Sequence, residues 1–113
     1  MINGINTNLK GLPDGVYFTE RGYTQAYPWV QIKRTAKTAT IAKVLVAKDP
    51  DWKPEMIPGG FAAHCTNQGD QTWLYAGVDL NLTRIIRLTK SGWMLHGTRY
   101  VEGAAIEFYD YNF

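Results

Sequence analysis

The sequence contains few of the residues from which disulfides, metal centres and nucleophilic sites are built. Among 113 residues there is one cysteine, Cys65, so no disulfide can form within the chain, and there are two histidines. A small domain without disulfides is held together by its core, and this favours a reducing compartment. His64 and Cys65 are adjacent, and neighbouring residues of a strand point to opposite faces, so they are poorly placed as base and nucleophile or as a chelate. We therefore predict no catalytic site, no metal site and no cofactor, and interpret Cys65 as a small buried hydrophobe.

Sequence motifs for phosphate binding and acid–base catalysis are also missing. Gly59-Gly60 lacks the Gly-x-Gly-x-x-Gly or Gly-Lys-Ser/Thr context that cradles phosphates. Asp49, Asp51 and Glu55 fall in a proline-rich segment, where solvated surface charge explains them more simply than paired-carboxylate hydrolysis does. The sequence therefore favours a protein that is not an enzyme.

Neither a strong charge of one sign nor a long apolar run is present. The chain has 12 basic and 10 acidic residues and a net charge of +2, less than duplex-DNA binders carry and opposite in sign to a DNA mimic. No segment approaches the roughly 20 apolar residues that cross a membrane. The first twelve residues lack the basic head and apolar stretch of a secretory signal. We expect a cytoplasmic protein with no membrane partner.

What the chain does contain is a series of strand-length runs rich in aromatic and β-branched residues, separated by Gly, Pro, Asn and Asp turns. The run 38–48 loses its polar–apolar alternation, which is typical of a central strand. Lys90-Ser91-Gly92 is the kind of short loop that closes a hairpin. The predicted strands are 16–19, 27–34, 38–48, 61–65, 71–75, 82–89 and 93–101, with a boundary at Asn81.

Two segments are not expected to be strands. Residues 49–60 carry three prolines and two glycines, which predicts an irregular surface connection, pinned to the core by Trp52. Residues 103–109 are predicted to form a short helix, because Ala104, Ala105 and Phe108 can share one helical face. The aromatic ending that follows is expected to pack across the sheet.

These elements predict one domain over residues 1–113. We expect a mainly β fold, a small antiparallel barrel or half-barrel of about six strands with one short C-terminal helix, since closure removes exposed sheet edges. An open α+β sheet with that helix on one face is the alternative.

Basic residues alternate with aromatics in two of the predicted hairpins. In the run 27–34, Val30 and Ile32 should share one face, while Trp29 and Lys33 share the other. Cations beside rings are typical of surfaces that bind single-stranded nucleic acid or a nucleotide. The simpler interpretation is that the tryptophans belong to the core and the cations to exposed strand positions. The candidate binding residues are Trp29, Lys33, Arg34, Lys37, Arg84, Arg87, Trp93 and Tyr100.

Several segments resemble short uncharacterised proteins of bacteriophages and bacterial mobile elements. They are Lys33-Arg34-Thr35-Ala36-Lys37-Thr38, Asp49-Pro50-Asp51-Trp52-Lys53-Pro54, Pro58-Gly59-Gly60-Phe61, His64-Cys65-Thr66-Asn67-Gln68 and the ending Phe108-Tyr109-Asp110-Tyr111-Asn112-Phe113. The resemblance supplies no activity, cofactor or catalytic residue, and it implies a compact accessory protein that works inside a bacterial host. Such proteins often bind and block host machinery, including defence systems. The predicted function is binding and inhibition of a host protein complex, with a nucleic-acid- or nucleotide-binding small β-barrel as the alternative.

Overall fold

A computed structural model describes residues 5–59 and 62–112. The regular structure of these residues is almost entirely β, with a single 3₁₀ turn at Gln68–Asp70, so the mainly β prediction is confirmed. None of the helical structure in these ranges is long and apolar enough to cross a membrane. The described strands are β1 (Asn6–Thr7), β2 (Leu9–Lys10), β3 (Tyr17–Arg21), β4 (Ala26–Arg34), β5 (Thr38–Lys48), β6 (Met56–Gly59), β7 (Ala62–Cys65), β8 (Trp73–Thr89), β9 (Gly92–Leu95), β10 (Thr98–Glu102) and β11 (Ala104–Ala105).

The main sheet has seven strands in the order β2-β8-β5-β4-β3-β10-β9, and a further pairing of β9 with β8 closes its hydrogen bonds into a ring. The strands of the ring, β3, β4, β5, β8, β9 and β10, pair antiparallel, whereas β2 adds to β8 in parallel from outside. Two short ribbons, β1–β11 and β6–β7, complete the described sheets.

The core has two parts, on opposite faces of the central strands. Every strand of the ring contributes to the first, which consists of Phe18, Trp29, Ala39, Ile41, Ile86, Trp93 and Tyr100 and therefore fills the ring. The buried residues of the second part are Leu9, Tyr17, Val44 and Ala105. Because β3 and β5 supply both parts, these strands are covered on both sides, as the lost alternation of 38–48 predicted.

β8 is one continuous strand, and the prediction of a boundary at Asn81 was wrong. Two consecutive residues of β5, Ala42 and Lys43, pair with Thr83 and Asp79 of β8. Residues 80–82 of β8 are therefore extra residues between these pairs and form a bulge. The amide of Asn81 bonds the Asp79 side chain at 2.9 Å. The polar residue therefore marks a bulge within a strand and not the end of one.

The hairpin around Lys90-Ser91-Gly92 is confirmed by the pairing of β8 with β9. The predicted strand 93–101 is divided into β9 and β10 by a tight turn. At that turn His96 has a φ of 48° and Gly97 a φ of 79°, the left-handed pair that two-residue hairpins need.

The prediction of a C-terminal helix was wrong. Ala104 and Ala105 form β11, which pairs with β1, and Phe108 bridges to Ala26. The amides of Ile106 and Glu107 donate to the side chains of Thr19 and Asn8, each at 3.1 Å. Because distant side chains bind these amides, the segment stays extended and covers the second part of the core.

The connection after β5 is more regular than predicted, since it contains β6, which pairs with β7. Trp52 packs against Tyr111 with ring centres 5.6 Å apart. Gly60 and the predicted strand residue Phe61 lie outside the described residues. The described part of the aromatic ending packs back against the connection and β7, where Asn112 bonds the backbone of Cys65 at 2.7 and 2.9 Å. Phe113 lies outside the described residues.

Asp49 anchors the start of this connection through a buried carboxylate. It lies 2.7 Å from Lys10 Nζ, and it accepts hydrogen bonds from Thr72 Oγ1 at 2.7 Å and from the Asp51 amide at 2.9 Å. The Lys10 contact, followed by the other two bonds, lowers the pKa of Asp49 from 3.8 to about 2. A carboxylate whose pKa is lower in the folded chain stabilises the fold above its unfolded pKa and loses that effect as it becomes protonated.

We expect the stability of the protein to fall between about pH 4 and pH 2 through protonation of Asp49. The variant Asp49→Asn should be less stable at neutral pH and should lack this part of the pH dependence. Urea unfolding at a series of pH values measures both effects, with the exposed Asp14→Asn as control. An Asp49→Asn protein with the wild-type pH slope would contradict the prediction.

Candidate protein-binding face

Three of the predicted binding residues meet inside the ring, around a carboxylate that sequence reasoning missed. Trp29 Nε1 donates to Glu20 Oε1 at 3.0 Å, and Arg84 Nη1 lies 3.0 Å from Glu20 Oε2. The guanidinium carbon of Arg84 lies 4.5 Å from the centre of the Trp29 ring. Arg84 also donates to Tyr100 Oη at 2.6 Å, and burial raises the pKa of Tyr100, which keeps that hydroxyl protonated. Arg84 thus contacts the carboxylate of Glu20, the indole of Trp29 and the hydroxyl of Tyr100.

A second group near one end of the ring repeats this chemistry. Arg34 Nη1 lies 2.7 Å from Glu102 Oε2, and Trp93 Nε1 donates to Glu102 Oε1 at 3.2 Å. The guanidinium carbon of Arg34 lies 4.8 Å from the centre of the Trp93 ring. Arg34 lowers the pKa of Glu102, which keeps the carboxylate charged as the acceptor of both bonds. In each group one glutamate satisfies an arginine and a tryptophan at the same time.

The aromatic side chains of these two groups are too buried for a nucleic-acid base to stack on them. Trp29 is 1% exposed, Tyr100 2% and Trp93 5%, so the tryptophans belong to the core, as in the simpler interpretation of the sequence, and present no exposed face on which a base could stack. In each group the tryptophan and the glutamate are nine residues apart, on neighbouring strands. That spacing across a hairpin is the signal in the sequence that could have indicated the pairs.

The predicted faces of β4 hold only as far as Gln31, since Val30 packs on the side opposite Trp29, against the second part of the core. Trp29 points into the ring, whereas Ile32 is 49% exposed. A shift in register between Gln31 and Lys33 adds a residue to β4, so Ile32 is exposed and Lys33 no longer shares the side of Trp29.

The remaining predicted residues, Lys33, Lys37 and Arg87, are exposed. Ala39 and Ile86 are paired and buried in the ring, so the neighbouring positions of β5 and β8 point outward. Strand register arranges these outward positions in two adjacent rows. We call them the basic outer face, and its members are Lys33, Thr40 and Ile85 in one row and Thr38, Arg87, Met94 and Arg99 in the other.

The cations of the basic outer face have no acidic partner. None of the ion pairs within residues 5–59 and 62–112 includes Lys33, Arg87 or Arg99, and the face itself contains no carboxylate. Arg99 Nη2 is held by the Ser91 carbonyl at 2.9 Å. Lys37 lies beside the face in the β4–β5 turn. The face therefore combines uncompensated positive charge with an apolar centre, because Ile85 is 62% exposed.

Other positions considered for chemistry do not assemble into a site in the part of the chain that the structure describes. Cys65 is buried, with Sγ 3.4 Å from Asn67 Oδ1, whereas His64 is exposed. No group of three or more His, Cys, Asp or Glu side chains there is placed to hold a metal ion. Comparisons with protein-family models, curated proteins and solved structures gave no match. The function is therefore argued from the geometry of the basic outer face.

Proposed function

We propose that this protein is an accessory binding protein that docks its basic outer face on an acidic surface of a host protein complex and inhibits the complex by occupying that surface. The observation that carries the proposal is a cluster of cations without carboxylate partners around an exposed isoleucine. Such a surface attracts an acidic partner over a distance and then offers apolar area to bury. The resemblance to phage and mobile-element proteins supports the choice of a host target.

A protein partner fits this face better than single-stranded nucleic acid does. Strand-binding surfaces combine cations with exposed rings on which bases stack. Here Trp29, Trp93 and Tyr100 are buried, and the apolar residues between the cations are Ile85 and Met94. Aliphatic side chains surrounded by arginine are typical of the buried part of protein interfaces.

The test is affinity capture from lysate of the bacterial host, with the double variant Ile85→Glu/Arg87→Glu beside the wild type. We expect the wild type to capture a partner with an acidic surface in stoichiometric amount, also after nuclease treatment. The variant should bind that partner roughly 30-fold more weakly, which is about 2 kcal/mol, because it loses apolar contact and reverses one charge.

The matched control is Ile57→Glu/Arg21→Glu, which changes an exposed isoleucine and an exposed arginine outside the basic outer face. This control should keep the wild-type affinity. Equal capture by the face variant, capture that disappears with nuclease, or a wild type that captures nothing would each count against the proposal.

A further inference from the structure

A cleft of about 280 Å³, which shares no residue with the basic outer face, lies between the connection after β5, the start of β8 and the C-terminal segment. Its walls are mainly aromatic and proline side chains, including Pro50, Trp52, Trp73 and Tyr111. Lys48 and Lys53 also line it. A concave site with apolar walls and a few polar groups is the usual form of a small-molecule site, and this volume is near the lower end of the range for such sites.

The polar groups around this cleft are satisfied, with one exception. The Asp49 carboxylate is occupied by Lys10, Thr72 and the Asp51 amide, as described above. Trp73 Nε1 donates to the buried Gln71 at 2.9 Å. Trp52 Nε1, in contrast, is buried without an acceptor among the described residues. A buried indole N–H normally has a hydrogen-bond partner, so the Trp52 N–H is an unsatisfied donor.

The charge of the cleft is positive. Lys48 and Lys53 are exposed, and neither takes part in an ion pair within the described ranges. Asp49 also lines the cleft, and Lys10 offsets its charge only in part, because Lys10 lies 2.7 Å from Asp49 and 3.3 Å from Asp51 and is shared by the two carboxylates. The two lysines still outnumber Asp49 in the lining. The cleft therefore offers flat rings and two lysines, and the buried Trp52 N–H beside it can reach a ligand when the indole turns.

We propose that this cleft binds a nucleotide, with the heterocycle against the Trp52 and Tyr111 rings and the phosphate beside Lys48 and Lys53. Base–aromatic stacking tolerates any base, and the ring nitrogens and carbonyl oxygens of a base are acceptors for the Trp52 N–H. A sugar would need free carboxylate or amide groups, but those of Asp49 and Gln71 are in use. An apolar ligand would leave the N–H and both lysines without partners. The nucleotide is either free or one unit of a single strand, since both present a base and a phosphate.

Binding is measured by calorimetry and by tryptophan fluorescence, which responds when the Trp52 indole turns toward a ligand. The probes are AMP, GMP, CMP and UMP, with adenosine and ribose 5-phosphate as the separate halves of AMP. We expect saturable binding of at least one mononucleotide, with weaker binding of both halves. A short oligothymidylate distinguishes a free nucleotide from one unit of single-stranded nucleic acid. If the oligomer binds and no mononucleotide does, the cleft still recognises a base and a phosphate, and its ligand is single-stranded nucleic acid.

Two variants test the residues. Trp52→Phe keeps a ring but removes the N–H and should weaken binding roughly fivefold to tenfold. Lys48→Gln/Lys53→Gln should weaken it by a similar factor and flatten its salt dependence. Lys90→Gln, an exposed lysine in the β8–β9 turn, is the control and should bind like the wild type. Thermal melts show that each variant is folded.

Three results would overturn the proposal. The first is the absence of saturable binding by all four mononucleotides and the oligomer. The second is wild-type affinity in both the Trp52 and the double lysine variants. The third is adenosine binding as tightly as AMP, because the lysines would then contribute nothing. None of these results bears on the basic outer face, which is tested separately with a protein partner.

Discussion

Replacing Gln71 with leucine is expected to lower the free energy of unfolding by about 3–5 kcal/mol, although leucine is close to glutamine in size. Gln71 is buried and makes four hydrogen bonds: to the carbonyls of Gln68 and Tyr109 at 2.8 and 2.9 Å, and from Trp73 Nε1 and the Tyr109 amide at 2.9 and 2.8 Å. Leucine would leave three of these groups without partners, whereas the Gln68 carbonyl keeps the backbone amide of residue 71, which donates to it at 3.3 Å. A buried polar group that loses its partner costs about 1–3 kcal/mol, and some of these groups will regain water.

The Gln71→Leu effect is measured by urea unfolding, together with hydrogen exchange at the Tyr109 amide. We expect that amide to lose more protection than those of the ring strands, because Gln71 ties the C-terminal segment to the chain before β8. The control is Gln31→Leu, since Gln31 is half-buried and makes one long bond, 3.4 Å, to Arg34. A loss below about 1 kcal/mol for Gln71→Leu would show that the segment is held by its apolar contacts instead.

Replacing Glu20 with alanine is expected to cost about 2–4 kcal/mol of unfolding free energy, and Glu102→Ala about 1 kcal/mol or less. Both changes remove the acceptor shared by an arginine and a tryptophan. They differ in exposure: the Glu20 and Arg84 side chains are 18% and 35% exposed, whereas those of Glu102 and Arg34 are 40% and 36% exposed. Water can replace the lost carboxylate near Glu102 more readily than near Glu20, because the Glu20 side chain is the more buried of the two.

Chemical denaturation of both alanine variants tests this difference in cost. A double-mutant cycle for Glu20 and Arg84 then isolates their coupling, and the double alanine variant should lose less stability than the sum of the single variants. Equal costs for Glu20→Ala and Glu102→Ala would contradict the view that exposure distinguishes the two groups. Additive effects in the cycle would mean that Glu20 acts mainly through the Trp29 N–H.

These internal pairs also decide where the positive charge of the protein is available. Arg34 and Arg84 are neutralised within the ring or at its end, so among the predicted binding cations Lys33, Lys37 and Arg87 keep their charge available. Loss of Glu20 or Glu102 would release a paired arginine. Stability and binding should therefore be measured together for every glutamate variant.

Local structure was the part of the fold that could be predicted from sequence. The prediction of 38–48 matches β5 at both ends, because a run of β-branched residues between two turns has strong local preferences. The Lys90-Ser91-Gly92 turn was found for the same reason, since Gly92 adopts a φ of 102°, which few other residues tolerate. The position of Lys33, Lys37 and Arg87 on the surface also follows the ordinary preference of strand cations for water.

The errors lie where residues distant in the chain compete with local preference. Residues 103–109 have a helical pattern, but the Thr7 hydroxyl bonds the carbonyl of Ala105, 98 residues away, and the segment remains extended. The exposure of Ile32 and the outward position of Lys33 depend on a bulge in β4 that only its pairing with β5 creates.

The sequence by itself determined that the chain is mainly β, where β3, β4, β5 and β7 begin and end to within two residues, and which cations are candidates for binding. Only the tertiary structure decided which of these cations are neutralised within the protein, as Arg34 is by Glu102, 68 residues away. It also brought Trp52, Trp73 and Tyr111 into one cleft. The physical reason is one of range: turn and strand preferences act over a few neighbouring residues, whereas charge neutralisation and the walls of a cleft depend on strand register and closure of the ring.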